Sequence, residues 1–346
     1  MKGFMKMKEA LVDISVLLVF FTRHEQFAQV FEQVRKAKPS RLFLYQDGPR
    51  PGRQDDIINI KKCRAIAENI DWECEVHRFY QEENYGCDPS GYIAQTWAFS
   101  QTDKCIVIED DVVPTVSFFR FCKELLDEYE NDARISLITG LNIDEQTNYC
   151  PYDYFFSSTT FTVGCWASWS RVVSRWDNEY TYLDSPYYSQ MIRQYIEFHK
   201  FSKGFIPSSK IHKSSGKEHF ETIMISNQYL NNGLTIIPTK NMVLNIGLTG
   251  DATHTSVSFE CLPKGYRKLF ELKTYDIKEK INFQKYVVED FSYKERAYRL
   301  YGWRNPFIKI TRQIETIILS AKHGNLKETV TELTRKIQKL KSKTVS

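Results

Sequence analysis

Apolar positions in the first 140 residues fall into short continuous runs, separated by segments in which they recur at helical spacing. Asp13 to Phe21 (DISVLLVFF) is a run rich in β-branched and aromatic residues, the composition of a strand buried on both faces of a parallel sheet. Glu25 to Lys38 then places Phe27, Val30, Phe31 and Val34 on one helical face and stops before Pro39. Arg41 to Gln46 predicts a second strand, ended by the turn sequence Asp47-Gly48-Pro49. The alternation continues with a helix over Asp55 to Ile70, a strand over Cys74 to Arg78, a helix over Tyr92 to Gln101 and a strand over Cys105 to Glu109. A helix over Ser117 to Tyr129 and a strand over Ile135 to Thr139 complete it. Repeated βα units imply an α/β fold, a mainly parallel, Rossmann-like sheet flanked by helices.

Beyond Gly140 the rhythm breaks into an aromatic, loop-rich stretch (Tyr149 to Trp176) and a polar insertion (Asp184 to Ser215). A helix over Phe220 to Leu230 and short strands over Leu234 to Ile237 and Met242 to Ile246 follow. The C-terminal part carries two amphipathic patterns, Phe307/Ile310/Ile314/Ile317 and Leu326/Val330/Leu333/Ile337/Leu340. This divides the chain into a domain over 10–258 and a basic, helical C-terminal extension over 259–346.

Charge sharpens that division. The net charge of +4 conceals 12 Lys+Arg against 3 Glu in residues 296–346, a +9 tail on a body of −5. The tail is the place for attraction to an anionic surface. Its stripe either lies on a membrane or packs on the domain or on a second subunit of a homodimer. No apolar run approaches the ~20 residues needed to span a bilayer, and Met1 to Glu9 lacks a signal-peptide core, so the expected location is cytoplasmic, with at most peripheral membrane contact. The eight cysteines show no CxxC and no zinc spacing with histidine, which favours reduced thiols. No motif for nucleic acid is present.

Open α/β sheets bind ligands at the carboxyl ends of their strands. Four polar groups occupy such places: Thr22-Arg23 after the first strand, Asp47 after the second, Asn84-Tyr85-Gly86 beyond the third and Glu109-Asp110-Asp111 after the fourth. Three adjacent carboxylates following a buried strand repel one another unless a cation compensates them. Mg²⁺ or Mn²⁺ bridged to a diphosphate meets that need, the alternative being an acidic cap for the helix that follows.

Cys105 to Phe119 (CIVIEDDVVPTVSFF) resembles the Glu-Asp-Asp segment of GT-A-fold nucleotide-diphospho-sugar transferases. The likeness is to a bacterial group often labelled hemolysin-like, related to N-acetylglucosaminyltransferase I. It spans roughly residues 12–257 and includes VFFTRHEQF at 19–27, LYQDGPR at 44–50, Arg64, IDWECEV at 70–76, NYGC at 84–87, GCWASW at 164–169 and GLTIIPTKNMVLNIGLTGDATHT at 233–255. The resemblance implies that Thr22, Arg23, Arg64, Asn84 and Gly86 border the donor nucleotide and that Asp47 accepts the uracil N–H. Glu109 and Asp110 would then contact ribose or sugar, and Asp111 with His254 would hold the metal. Glu221 replaces the aspartate of the group's Trp-Asp-Tyr-Gln-Trp segment, which here reads Phe220-Glu221-Thr222-Ile223-Met224, and would be the base. Trp166, in a segment altered from Trp-Gly-Trp-Ala-Thr-Trp, would wall the sugar site or sit in the core. Asp47 has a competing reading as turn former, His254 as a loop histidine and Glu221 as a first-turn helix residue.

The implied activity is transfer from a UDP-sugar, UDP-GlcNAc by resemblance, to a hydroxyl of a glycan or lipid-linked acceptor, with Mn²⁺ or Mg²⁺ and inversion at the anomeric carbon. A non-catalytic nucleotide- or sugar-binding module on the same fold is the alternative. A sugar nucleotidyltransferase would need a glycine-rich loop after the first strand, where this chain reads Phe21-Thr22-Arg23-His24-Glu25-Gln26.

Overall fold

The structure, a computed structural model, describes residues 8–197, 199–248, 259–277, 280–303 and 305–324. The first half runs β1 (Val12–Phe20), α1 (His24–Ala37), β2 (Pro39–Gln46), α2 (Gln54–Ala67), β3 (Glu75–Tyr80), α3 (Cys87–Phe99) and β4 (Lys104–Glu109). There follow β5 (Val112–Pro114), α4 (Val116–Glu128), β6 (Ile135–Thr139), β7 (Tyr154–Ser157), β8 (Cys165–Trp169) and the short α5 (Ser170–Val173). The remainder is α6 (Pro186–Ile196), α7 (His199–Ser215), α8 (Phe220–Leu230), β9 (Leu234–Pro238), β10 (Val243–Asn245), α9 (Lys264–Arg267), α10 (Phe291–Leu300) and α11 (Pro306–Lys322).

The local causes are those of an α/β unit. Helix α1 buries Phe27, Val30, Phe31, Val34 and Ala37 on one stripe and ends where Lys38 turns left-handed, its N–H donating to the Val34 carbonyl. Pro39 cannot continue the helix and opens β2. The main sheet has the order β3-β2-β1-β4-β8-β6-β9-β7, with β3, β2, β1 and β4 mutually parallel. One face is covered by a core that includes Phe27, Phe31, Trp72, Phe118 and Leu125. The other is covered by Tyr45, Ala94, Phe99, Trp166, Trp176 and Met224.

The stretch 149–176 is loop-rich, as its sequence suggests, but it also supplies β7 and β8, both antiparallel to their neighbours, and β8 enters the centre of the sheet between β4 and β6. The sheet is therefore mixed. The polar insertion 184–215 forms α6 and α7, whose buried Ser189, Ile192, Ile196, Phe205 and Ile206 face inward behind a polar exterior. Residues beyond 258 share the main core: Leu272, Ile281, Tyr293 and Ala297 pack with the residues of β1. The Tyr293 hydroxyl lies 3.2 Å from the Ile143 N–H, and the Asp290 N–H donates to the Phe156 carbonyl at 2.8 Å. The amphipathic pattern over 326–340 lies outside the described residues.

The sheet order reverses direction at β1: the connection through α1 leads to β2 on one side, that through α3 brings β4 to the other. Ile106, in the middle of β4 and fully buried, is registered between Val16 of β1 and Ala167 of β8. Truncating it leaves a cavity that rigid strands cannot close. Ile106→Ala is expected to cost about 2–5 kcal/mol, measured by urea unfolding at unchanged m-value.

Candidate functional site

A cleft of about 780 Å³ opens over the ends of β1, β2 and β4 at that reversal, where open α/β sheets place their ligands. Its floor is Val19 to Gln26 with Glu109, Asp110 and Asp111. One end is made by Arg50, Arg53, Asp55, Asp56 and Asn59 before and within α2, the other by Gly86, Cys87, Ser90, Gly91 and Gln95 of α3 with Phe220 of α8.

The charge that compensates the acidic triplet comes from within the chain. Arg23 Nη1 pairs with Asp111 Oδ2 and, at 3.5 Å, with Asp110 Oδ1, while the Phe21 N–H donates to Asp110 Oδ2 at 3.0 Å. Burial works against the Arg23 cation, but Asp110, Asp111 and Glu109 outweigh it and hold its pKa above the ordinary value. Asp110 is held above the usual carboxylate range by burial, against the pull of Arg23. Glu109 is pushed up to about 8 by burial, then by Asp111, Glu221 and Asp110, which favours its protonated form. Gly164, with φ +79°, closes against it: a Cβ there would lie 2.7 Å from the Glu109 carboxyl.

Thr22, Arg23, Asp47, Asn84, Gly86, Glu109, Asp110 and Asp111 all line this cleft, from positions spread over 90 residues of sequence. Glu221 stands exposed in the first turn of α8, close enough to raise Glu109 by its charge. His254 lies outside the described residues.

Of the two readings of Asp47, its hydrogen bonds fit the turn former. Its Oδ1 accepts the N–H groups of Gly48 and Tyr85, both at 3.0 Å, and its Oδ2 accepts from Asn84 Nδ2 at 2.9 Å and from the Gly86 N–H at 3.0 Å. With four donors satisfied by the chain itself, the carboxylate has no oxygen left for a uracil N–H. It ties the end of β2 to the loop that starts α3. Arg64 is also corrected: its Nε donates to Gln46 Oε1 at 2.7 Å and its guanidinium lies 4.5 Å over the Tyr80 ring. Gln46 in turn donates to the Phe21 carbonyl at 2.8 Å, so Arg64 braces the floor from behind. Trp166 is 1% exposed and packs between Phe99 and Trp176, a core residue and no wall of the cleft.

Sequence reasoning missed Ser90, Gly91, Gln95 and Phe220. Pro89 in a first turn was the signal, since it moves the start of α3 from Tyr92 back to Cys87 and turns these residues toward the strand ends. A Cβ on Gly91 would lie 2.5 Å from the Phe220 ring, so glycine lets that ring rest directly on α3. Gln95 Oε1 and Ser90 Oγ are buried, line the cleft and have no hydrogen-bond partner among the described residues.

An Asp111-centred metal site is compatible with this geometry. A Cβ on Gly247 would collide with the Asp111 carboxylate, so glycine lets the backbone lie directly against it. Among the described residues no three His, Cys, Asp or Glu side chains are grouped to enclose a metal ion. A hard cation here would rest on one or two carboxylates and on ligand oxygens, the usual manner of Mg²⁺ with phosphates. No protein-family model and no curated protein matches the chain.

Two substitutions check the architecture of the cleft. Asp47→Asn replaces one accepting oxygen by an NH₂ that faces other donors, and is expected to cost about 1–3 kcal/mol, read as a lower denaturation midpoint together with faster cleavage within residues 82–88. Gln95→Met removes a buried unpaired carbonyl at nearly constant volume and is expected to stabilise the ligand-free protein by about 1 kcal/mol, measured by thermal melting.

Proposed function

We propose that the chain is a metal-dependent glycosyltransferase of GT-A type, moving a sugar from a UDP-sugar to a hydroxyl of a glycan or lipid-linked acceptor. The observation that carries this reading is the cleft at the sheet's reversal point, where Arg23 and the carboxylates of Asp110 and Asp111 meet on one floor. A nucleoside diphosphate brings negative charge that needs both a cation and hydrogen-bond donors. Arg23 would supply donors to the phosphate oxygens, and Asp111 would hold a Mn²⁺ or Mg²⁺ whose charge would offset that of the leaving diphosphate. Of the motifs quoted above for the glycosyltransferase resemblance, VFFTRHEQF, LYQDGPR and the Glu-Asp-Asp segment fall on these strand ends.

The residues divide the work by position. Glu109 would contact the transferred sugar, as the resemblance implies. Glu221, exposed in the first turn of α8, would take the proton of an acceptor hydroxyl as it attacks the anomeric carbon, the role that the resemblance implies. Attack in line with the leaving diphosphate inverts the anomeric configuration. With Asp47 occupied by the chain, selection of the base falls to other groups of the rim, and UDP is favoured by resemblance alone.

A second reading, a nucleotide- or sugar-binding module without turnover, draws on the same ion pairs: Arg23 already balances Asp110 and Asp111 with no metal needed for the fold. Both readings are tested by melting the intact protein with UDP, GDP or CDP, each with Mn²⁺ or with EDTA, beside Asp111→Ala. Glycosyl transfer predicts stabilisation by UDP that needs the metal, at 100-fold excess over Kd about 2.7 kcal/mol, its loss in Asp111→Ala, and release of UDP from a UDP-sugar that falls at least about 100-fold in Glu221→Gln. Stabilisation without UDP release selects the binding module. No shift with any nucleotide rejects both.

A further inference from the structure

Helix α11 is the last described element, and its amphipathic face points away from the protein. Phe307, Ile310, Ile314, Ile317 and Ile318 are 72, 52, 52, 39 and 60% exposed and recur at the three- and four-residue spacing of one helical stripe. The helix is attached through its other side. Arg312 lies 4.5 Å over the Tyr266 ring and donates to the Leu300 carbonyl, Glu315 Oε1 accepts the Lys264 N–H at 3.0 Å, and Ser320 is fully buried. Polar residues thus fasten the helix while its largest apolar side chains face outward. A surface helix ordinarily turns that stripe to the core, and a contiguous exposed apolar face marks an interaction surface.

The charge around the stripe identifies the partner. Glu315 is the only carboxylate in residues 296–324, and it is turned inward to Lys264, so the exposed face carries no negative charge of its own. Lys264 and Lys268 are exposed beside the helix, Lys322 closes its last turn, and residues 296–346 together carry +9. Among the described residues no helix is long and apolar enough to cross a membrane. A short helix with a bulky apolar face inside a basic surround lies flat at the lipid–water boundary: the stripe enters the acyl region and the lysines stay at the headgroups.

We propose that α11 is an interfacial helix that docks the chain on an anionic bilayer through Phe307, Ile310, Ile314, Ile317 and Ile318. This surface is independent of the cleft and of the activity proposed for it. Of the alternatives open for the 307–317 stripe, packing on the domain does not fit, since these side chains are exposed.

The test is co-sedimentation of the full chain with phosphatidylcholine vesicles, with and without phosphatidylglycerol. The full chain is expected to pellet with the anionic vesicles and much less with neutral ones. Ile314→Glu is expected to lower the bound fraction at least about tenfold, with an unchanged melting temperature because the site is exposed. A Phe307→Trp variant adds a second readout: brominated lipid should quench its added emission. An intact chain that stays in the supernatant with both vesicle types overturns the proposal. So does vesicle binding that Ile314→Glu leaves intact, or binding without quenching at position 307, which would assign the attraction to residues 325–346 alone. A dimer in sedimentation that Ile314→Glu dissolves, with no vesicle binding, overturns it in favour of a second copy of the chain.

Discussion

A guanidinium between two carboxylates, Arg23 against Asp110 and Asp111, holds the junction on which the cleft depends. Two strands that end side by side, β1 and β4, deliver opposite charges to one partly buried place. Either charge set alone would be costly there, because an unpaired ion out of water loses most of its solvation. Together they fasten the turn after β1 to the turn after β4, and the Phe21 N–H adds a backbone bond to the same carboxylate. The acidic triplet is thus part of the fold before any ligand arrives, and its charge balance would be redistributed when one does.

Around this junction the cleft has unlike ends. Toward α2, arginines are already paired: Arg50 with Asp56 through two bonds of 2.7 and 2.8 Å, and Arg53 with Asp55 through 2.6 and 2.9 Å. Toward α3 and α8, a glycine-seated ring, the Glu109 carboxyl whose pKa burial raises and an unpartnered amide carbonyl meet. The first end is electrostatically closed and suits exclusion or orientation. The second is rich in neutral polar groups, the chemistry that distinguishes hydroxyl-bearing ligands from one another.

The parallel half was legible in sequence because strands buried on both faces read as continuous apolar runs, as in VLLVF of β1 and CIVI of β4. Strand β8, equally buried, reads Cys-Trp-Ala-Ser-Trp: its small and polar residues fit between β4 and β6, and no local pattern announces that partnership. The need for a cation beside Glu109-Asp110-Asp111 followed from repulsion, but its identity did not, since Arg23 is 88 positions away from Asp111. Asp47 shows the same limit. Asp-Gly-Pro declares a turn, whereas the loop that fills its oxygens begins 37 residues later. Legibility ended where a residue's role is set by a partner distant in the chain.

The placement of β8 has a consequence for how the molecule is assembled. β6 precedes it in the chain yet lies beyond it in the sheet, so neither the outer edge of β4 nor the facing edge of β6 can be paired until residue 165 or later is available. During synthesis β1 to β4 can close as a parallel block, while two unpaired strand edges stand open across a gap one strand wide. Such edges are templates for pairing with other chains, and non-local closure is slow. β8 is the keystone of the sheet, and the interval before it is laid is when this protein is most exposed to misassembly.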